Sequence, residues 1–110
     1  MIVREWRGRA CTTNTEDYAE HFRSEVAPQL ESIDGFCGAD LIRRSLGDGT
    51  VEYTVLSRWE SMDAIRQFAA DDPSRAVVEP GAVAALVDFD DTVAHHLVVF
   101  TMSGRGDATP

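Results

Sequence analysis

A chain of 110 residues with 44% hydrophobic content has the size and composition of one folded domain around one modest core. Its formal net charge of −9 speaks against nucleic acid or an anionic membrane surface as partner, because phosphate binding is driven by clustered Lys and Arg. No apolar run approaches the roughly 20 residues of a membrane span, and the charged start MIVREWRGRA lacks the apolar core of a signal peptide, so a cytoplasmic protein is expected.

Met1 to Ala10 reads as a first strand, with Ile2, Arg4 and Trp6 on one side and Val3, Glu5 and Arg7 on the other. TNTE then supplies a capping-box pattern from Thr13 to Glu16. Tyr18, Phe22, Val26, Leu30 and Ile33 follow at helical spacing. Pro28 removes a backbone donor inside this run, which predicts a kink or an end near Ala27 with the helix resuming beyond it. Asp34 and Gly35 close the segment.

Phe36 to Leu46 is the second strand, GDG at 47 to 49 a tight hairpin, and Thr50 to Glu60 the third strand. Val51, Tyr53, Val55, Ser57 and Trp59 share one side of its pleat. A two-residue turn puts Gly38, Asp40 and Arg44 on that same face, whereas a three-residue loop with a bulge puts Cys37, Ala39, Leu41 and Arg43 there. Asp40 is a site candidate only in the first register. Ser61 is the expected N-cap of a second helix, with Asp63 in its first turn and Met62, Ile65, Phe68 and Ala69 on one face until Asp71, Asp72 and Pro73 stop it. Short helical turns surround Pro80, TVAHHLVVFTM reads as the last strand, and SGRGDATP is a polar tail. The folded domain is expected over 1–102 and a flexible tail over 103–110.

The order is β, α, β, β, α, β, the α+β ferredoxin-like split βαβ arrangement with a four-stranded antiparallel sheet. Two helices cover one face of such a sheet. The other carries Leu56 and the apolar run from Leu97 to Phe100, which predicts a homodimer through the open sheet face. Cys11 and Cys37 match no metal or redox spacing and are expected as free thiols. All ten basic residues are arginine, which matches the bias of a GC-rich bacterial genome. RGD at 105 to 107 is an accident of tail composition in a chain without an export signal.

This order, the DGF turn at Asp34 to Phe36 leading into LIRR, and VLSRWES before a helix resemble the antibiotic biosynthesis monooxygenase family. The resemblance covers about residues 1 to 100. It implies a dimeric α/β barrel with a ligand pocket in each subunit between sheet and helices, and an activity among cofactor-independent quinone-forming monooxygenases, haem-degrading enzymes and proteins without an established reaction. Two departures bear on activity. The asparagine that helps hold substrate oxygen in the quinone-forming enzymes corresponds to Val55, and the haem-ligating histidine of the second helix corresponds to Ala69. The resemblance therefore carries over Trp59 alone from the quinone-forming site and disfavours haem degradation.

The leading expectation is a monooxygenase acting on a small aromatic or polyketide-like metabolite, with no cofactor and no metal. A base makes an electron-rich anion, which reacts with oxygen in a shielded site. His95 or His96 is the candidate base, and only one of the two can face the helices because adjacent strand residues point oppositely. Trp59, Tyr53, Trp6 and His21 are the candidate substrate-binding residues. The alternatives are a non-catalytic small-molecule-binding dimer of the same fold and an isomerase or cyclase using a pocket histidine.

Overall fold

The computed structural model describes residues 1–107. Strand β1 (Ile2–Cys11) leads into a helical layer of α1 (Thr15–His21), a π-helical turn (Phe22–Val26) and α2 (Ala27–Glu31). Strands β2 (Phe36–Ser45) and β3 (Thr50–Trp59) form a hairpin, followed by α3 (Met62–Ala69), α4 (Pro80–Ala85) and two short strands, β4 (Asp88–Phe89) and β5 (Ala94–Leu97). All pairings are antiparallel, in the order β2, β3, β1, with β4 and β5 both lying along the outer edge of β1. The expected last strand is present as β5 alone, and β4 is a fifth strand in a stretch expected to hold only short helical turns, so the sheet has five strands and not four. Between β4 and β5 the chain leaves β1 to pair with the segment after α3, through Ala76 N–H to Asp91 and Val93 N–H to Ser74.

The β1/β3 register sets the helix-side face. Ile2 lies opposite Trp59, Arg4 opposite Ser57, Trp6 opposite Val55, Gly8 opposite Tyr53 and Ala10 opposite Val51. Alternation of inward and outward side chains follows the pleat, as expected. The hairpin resolves to the three-residue loop: Leu46 N–H bonds Thr50 C=O, and Leu41 faces Val55. A bulge between Phe36 and Gly38 shifts the pairing so that Phe36 stands opposite Trp59 and Cys37 is exposed. Asp40 therefore lies on the open face, where it accepts from Arg58 at 2.9 Å, and the register that would have brought it to the site is excluded.

Pro28 acts earlier than its own position. It has no N–H, and its ring crowds the carbonyl four residues back, so the chain widens to i→i+5 bonding, with Ala27 N–H reaching Phe22 C=O, before α2 resumes. The predicted capping box does not form. Thr12–Asn14 is a 3₁₀ turn, and the Thr15 hydroxyl bonds back to the carbonyls of Cys11 and Thr12. Ser61 does cap α3, its hydroxyl accepting from Ala64 N–H at 3.2 Å. Gly35, at φ +91°, lets the turn before β2 pass so close to α3 that a Cβ would meet Ala64 Cβ at 2.7 Å.

The last strand is shorter than expected. β5 ends at Leu97, which pairs with Ile2, and Val98 N–H still finds Met1 C=O. Leu97, Val99, Phe100 and Met102 are exposed. Of the predicted tail, Arg105–Asp107 forms a 3₁₀ turn, and 108–110 lie outside the described residues. Cys11 and Cys37 are free. No helix among the described residues is long and apolar enough to cross a membrane.

Two buried clusters underlie the helical layer. One gathers Ala10, Tyr18, Ala19, Val51, Tyr53, Ala82 and Ala85; the other gathers Leu30, Trp59, Ala64, Ile65 and Ala69. Phe22, from the π turn, packs against both.

Candidate functional site

Where the two clusters meet, the layer leaves a cleft. Its floor is two directly opposed pairs, Arg4 with Ser57 and Trp6 with Val55. Its roof comes from Tyr18 and His21 of α1, Phe22 and Val26 of the π turn, Leu30 of α2 and Phe68 of α3, and Val77 to Glu79, Ala82 and Val93 close the sides. The π turn has a direct consequence here, because Phe22 and Val26 belong to the residues it re-aims. Together with the open space at its mouth the cleft spans about 560 Å³. It is a narrow, largely apolar slot with a few polar groups, the usual character of a small-molecule site.

Trp6 is the cleft's indole. It packs against Tyr18 at 5.8 Å and Phe89 at 6.5 Å between ring centroids, and its Nε1–H donates to Asp90 C=O at 2.8 Å. That bond satisfies the indole N–H and anchors the ring in the cleft wall. Tyr18 is 4% exposed, and burial, with Tyr53 beside it, pushes its hydroxyl above the ordinary phenol range, so it remains neutral.

His21 ends α1 with its side chain 11% exposed. Its Nε2 is buried without a hydrogen-bond partner, and the Glu79 carboxylate is 3.9 Å away, beyond bonding distance. Gln29 donates to the same carboxylate at 3.2 and 3.3 Å. A Cβ on Gly81 would stand 2.7 Å from His21 Nδ1, so the absence of a side chain there is what lets the imidazole lie against α4. A buried imidazole nitrogen with an unused lone pair or proton is poised for a ligand.

Arg4 is 5% exposed, on an otherwise apolar face. Its guanidinium donates to Pro73 C=O, to Arg75 C=O at 3.0 Å and to His95 Nε2 at 3.0 Å, and it lies 6.0 Å from the Phe68 ring centroid. Burial lowers its pKa to about 10, which still leaves it protonated at neutral pH.

The remaining expected site residues lie off the cleft. Trp59 is fully buried in the second cluster, edge-on to Phe36 at 5.2 Å, with its Nε1–H donating to Ser57 Oγ at 2.8 Å. It is a core plug at the strand end, on the same face as the floor and next to Ser57 along β3, where Ile65 and Ala69 of α3 pack in its cluster. Tyr53 is held in the first cluster by Tyr18 at 5.1 Å, donating to Thr15 C=O and accepting from Arg43 at 3.2 Å. The histidine pair divides as adjacent strand residues must. His95 is on the helix side opposite Arg4, behind the guanidinium, and His96 is on the open face, 2.9 Å from Glu5. His95 Nε2 is committed to Arg4, and its pKa is lowered by burial first, then by the charges of Arg4 and His96. Of the named candidates, the structure brings only Trp6 and His21 to the cleft itself. Sequence reasoning missed Arg4, although a charged residue between Ile2 and Trp6 on an inward face was the signal that could have found it. Among the described residues no group of three His, Cys, Asp or Glu side chains is placed to hold a metal ion.

The fold compares well with solved structures. A protein from Bacillus cereus described as a candidate antibiotic biosynthesis monooxygenase superposes with a TM-score of 0.67 at 17% identity, over 94% of this chain and 97% of that one. The haem-degrader MhuD from Mycobacterium tuberculosis, solved with two haems in its active site, gives 0.60 at 19% identity, over 94% and 100%. At these identities the likeness is one of fold. An uncharacterised protein of M. tuberculosis, strain H37Rv, is 37% identical over 86 residues, 69% of this chain, and the chain spans about a third of that relative's length (33%). The profile of the family described as "Antibiotic biosynthesis monooxygenase" matches residues 1–80. The chain belongs to the antibiotic biosynthesis monooxygenase family.

Proposed function

We propose that the cleft binds a small planar aromatic or polyketide-like metabolite and that the protein oxygenates it without a dedicated cofactor. The observation that carries this reading is His21 Nε2, a buried and unpartnered imidazole nitrogen inside an aromatic-lined slot. His21 accepts a proton from an activated ring CH₂, as in an anthrone, leaving a delocalised carbanion. Dioxygen adds to that carbon; loss of its second proton with O–O cleavage then leaves C=O and releases water. One O₂ thus supplies one ketone oxygen and one water, and the substrate provides every electron. Apolar walls from Trp6, Phe22, Val55 and Phe68 keep bulk water from the anion. His95, expected as the base, acts through Arg4 as a positioning residue, and Glu79 faces the proton acceptor from the mouth.

Oxygen uptake with a panel of anthrones tests this. His21→Gln is expected to lower the rate by about 100-fold, the usual scale for losing a general base. Ligand binding without oxygen uptake would instead make the protein a binding module. Substrate loss without oxygen uptake would identify an isomerase or cyclase using the same histidine.

The protein acts as a homodimer in this reading. The open sheet face presents Ile42, 49% exposed, beside half-buried Val3 and Leu56; Leu97, expected on this face, instead pairs with Ile2 on the helix side, and Val99, Phe100 and Met102 follow it as exposed residues. Ion pairs of Arg58 with Asp40, Arg44 and Arg9 with Glu52, and Arg7 with Glu5 frame these residues. Sedimentation at low micromolar concentration is expected to show twice the 12.1 kDa chain mass, and a folded monomer would remove the dimer from the reading.

A further inference from the structure

Arg4 is more than the cleft's floor. Seven of the arginines, at positions 7, 9, 23, 43, 44, 58 and 66, have a carboxylate oxygen within 4.0 Å. Arg4, inside the core layer, has none among the described residues, although the chain carries an excess of nine negative charges. Burying an unpaired charge is expensive, and pairing or substitution by an apolar residue relieves the cost. The partners it does have, two backbone carbonyls and a neutral imidazole, satisfy hydrogen bonds without cancelling the charge. A guanidinium carries five N–H donors. Three are taken by these partners, leaving two on a side chain that lines the slot.

The surroundings show which way a ligand's charge must point. The Glu79 carboxylate stands at the His21 side of the cleft and repels an anion there. At the other side the cation rests near the Phe68 ring, beside the aromatic walls. A flat ring in the slot with an acidic oxygen on one edge places that oxygen at Arg4 and its opposite edge toward His21.

We propose that Arg4 is the counter-charge for a ligand oxyanion, so that the cleft selects planar aromatics bearing a carboxylate or an ionised phenol over their neutral analogues. This rests on the cleft being the ligand site of the proposed function and names the substrate class for it. Fixed at both ends by Pro73 and Arg75 carbonyls and backed by His95, the guanidinium is pre-organised, so little side-chain entropy is lost when an anion binds. Charge-assisted bonds from a desolvated guanidinium are among the stronger polar contacts available to a ligand.

The test compares matched probes by calorimetry under nitrogen. 2-Naphthoate is set against methyl 2-naphthoate, and a nitrated naphthol ionised at pH 7 against 2-naphthol, which is neutral there. The wild-type protein is expected to bind at least one anion about tenfold or more tightly than its neutral counterpart. Preference in the first pair alone identifies a carboxylate, and in the second alone a phenolate. Arg4→Gln, checked for a native circular dichroism spectrum, is expected to erase the difference while Arg4→Lys keeps part of it. Equal or tighter binding of the neutral probes by the wild-type protein overturns the proposal without any variant having to fold, as does an anion preference that survives in folded Arg4→Gln. Because no oxygen is present, this outcome is independent of turnover: anion preference without later oxygen uptake removes only the oxygenase reading.

Discussion

Arg4 and His95 stand opposite one another on paired strands, with Arg4 Nη1 3.0 Å from His95 Nε2. A guanidinium can only donate, so Nε2 accepts and the imidazole proton resides on Nδ1. The pair therefore reads as cation and neutral ring, and protonating His95 sets two positive charges against each other.

Burial of the ring first, and the charge of Arg4 second, predict how His95 titrates. Its folded pKa is lowered from the ordinary 6.5, so the unfolded chain takes up a proton first as the pH falls. The contribution to stability is fully present above about pH 6.5 and is lost as the pH drops from there toward the folded value. The His95 ring resonance is expected to show a midpoint below 6.5 by NMR, and denaturation at pH 5.5 should need less urea than at pH 8. His95→Gln should flatten part of that slope. A midpoint above 6.5 would mean that neither the burial of the ring nor the charge of Arg4 acts on it in solution.

Trp59→Phe separates a core plug from a ligand wall. The indole is fully buried and bonded to Ser57, and burying a ring of this size removes roughly 200 Å² from water, worth about 5 kcal/mol. Phenylalanine recovers most but not all of that area and none of the hydrogen bond, so unfolding free energy should fall by about 1–3 kcal/mol. Affinity for an aromatic probe should stay within about twofold, since Trp59 does not line the cleft. A large loss of affinity in a variant of unchanged stability would return Trp59 to the site.

Gly81→Ala probes His21 without touching its chemistry. The new methyl would stand 2.7 Å from Nδ1, which forces the imidazole or α4 to shift. Alanine is the better helix former at the start of α4, but the imidazole it meets is buried, so overpacking should outweigh that gain and lower stability by about 1–2 kcal/mol. The His21 ring resonances should move, and probe affinity should fall several-fold. Unchanged resonances would show that α4 yields instead of the ring.

Added hemin is expected to give no Soret band of a histidine-ligated complex. α3 carries no histidine, Ala69 is buried there, and the narrow slot offers His21 alone. Absorbance titration checks this. Stoichiometric binding with a ligated spectrum, lost in His21→Gln, would place haem in the cleft.

Much of the fold was legible because it rests on local periodicity. The pleat of Val51 to Trp59, the cap at Ser61 and the break at Pro28 each follow from residues within a few positions of one another, as does the strand and helix order. The first-strand face with Ile2, Arg4 and Trp6 was equally plain. What the local pattern left open was settled by contacts across the sheet. The β2 register turned on one loop residue and one bulge, and it sent Asp40 to the open face. The extent of the final strand was likewise set by its pairing with β1, far away in sequence, a pairing that ends at Ile2 opposite Leu97. Which tryptophan meets the cleft depended on where the helices land: Ile65 and Ala69 pack over Trp59, while Trp6, half-buried under Tyr18, still lines the cleft. His95 and His96 are equivalent in sequence, and only pairing with β1 gave one of them Arg4 and the other Glu5. Arg4 itself finds its partners 69, 71 and 91 residues away, at separations where side-chain periodicity carries no information and only the closed sheet and the returning loop bring charge, imidazole and carbonyls together.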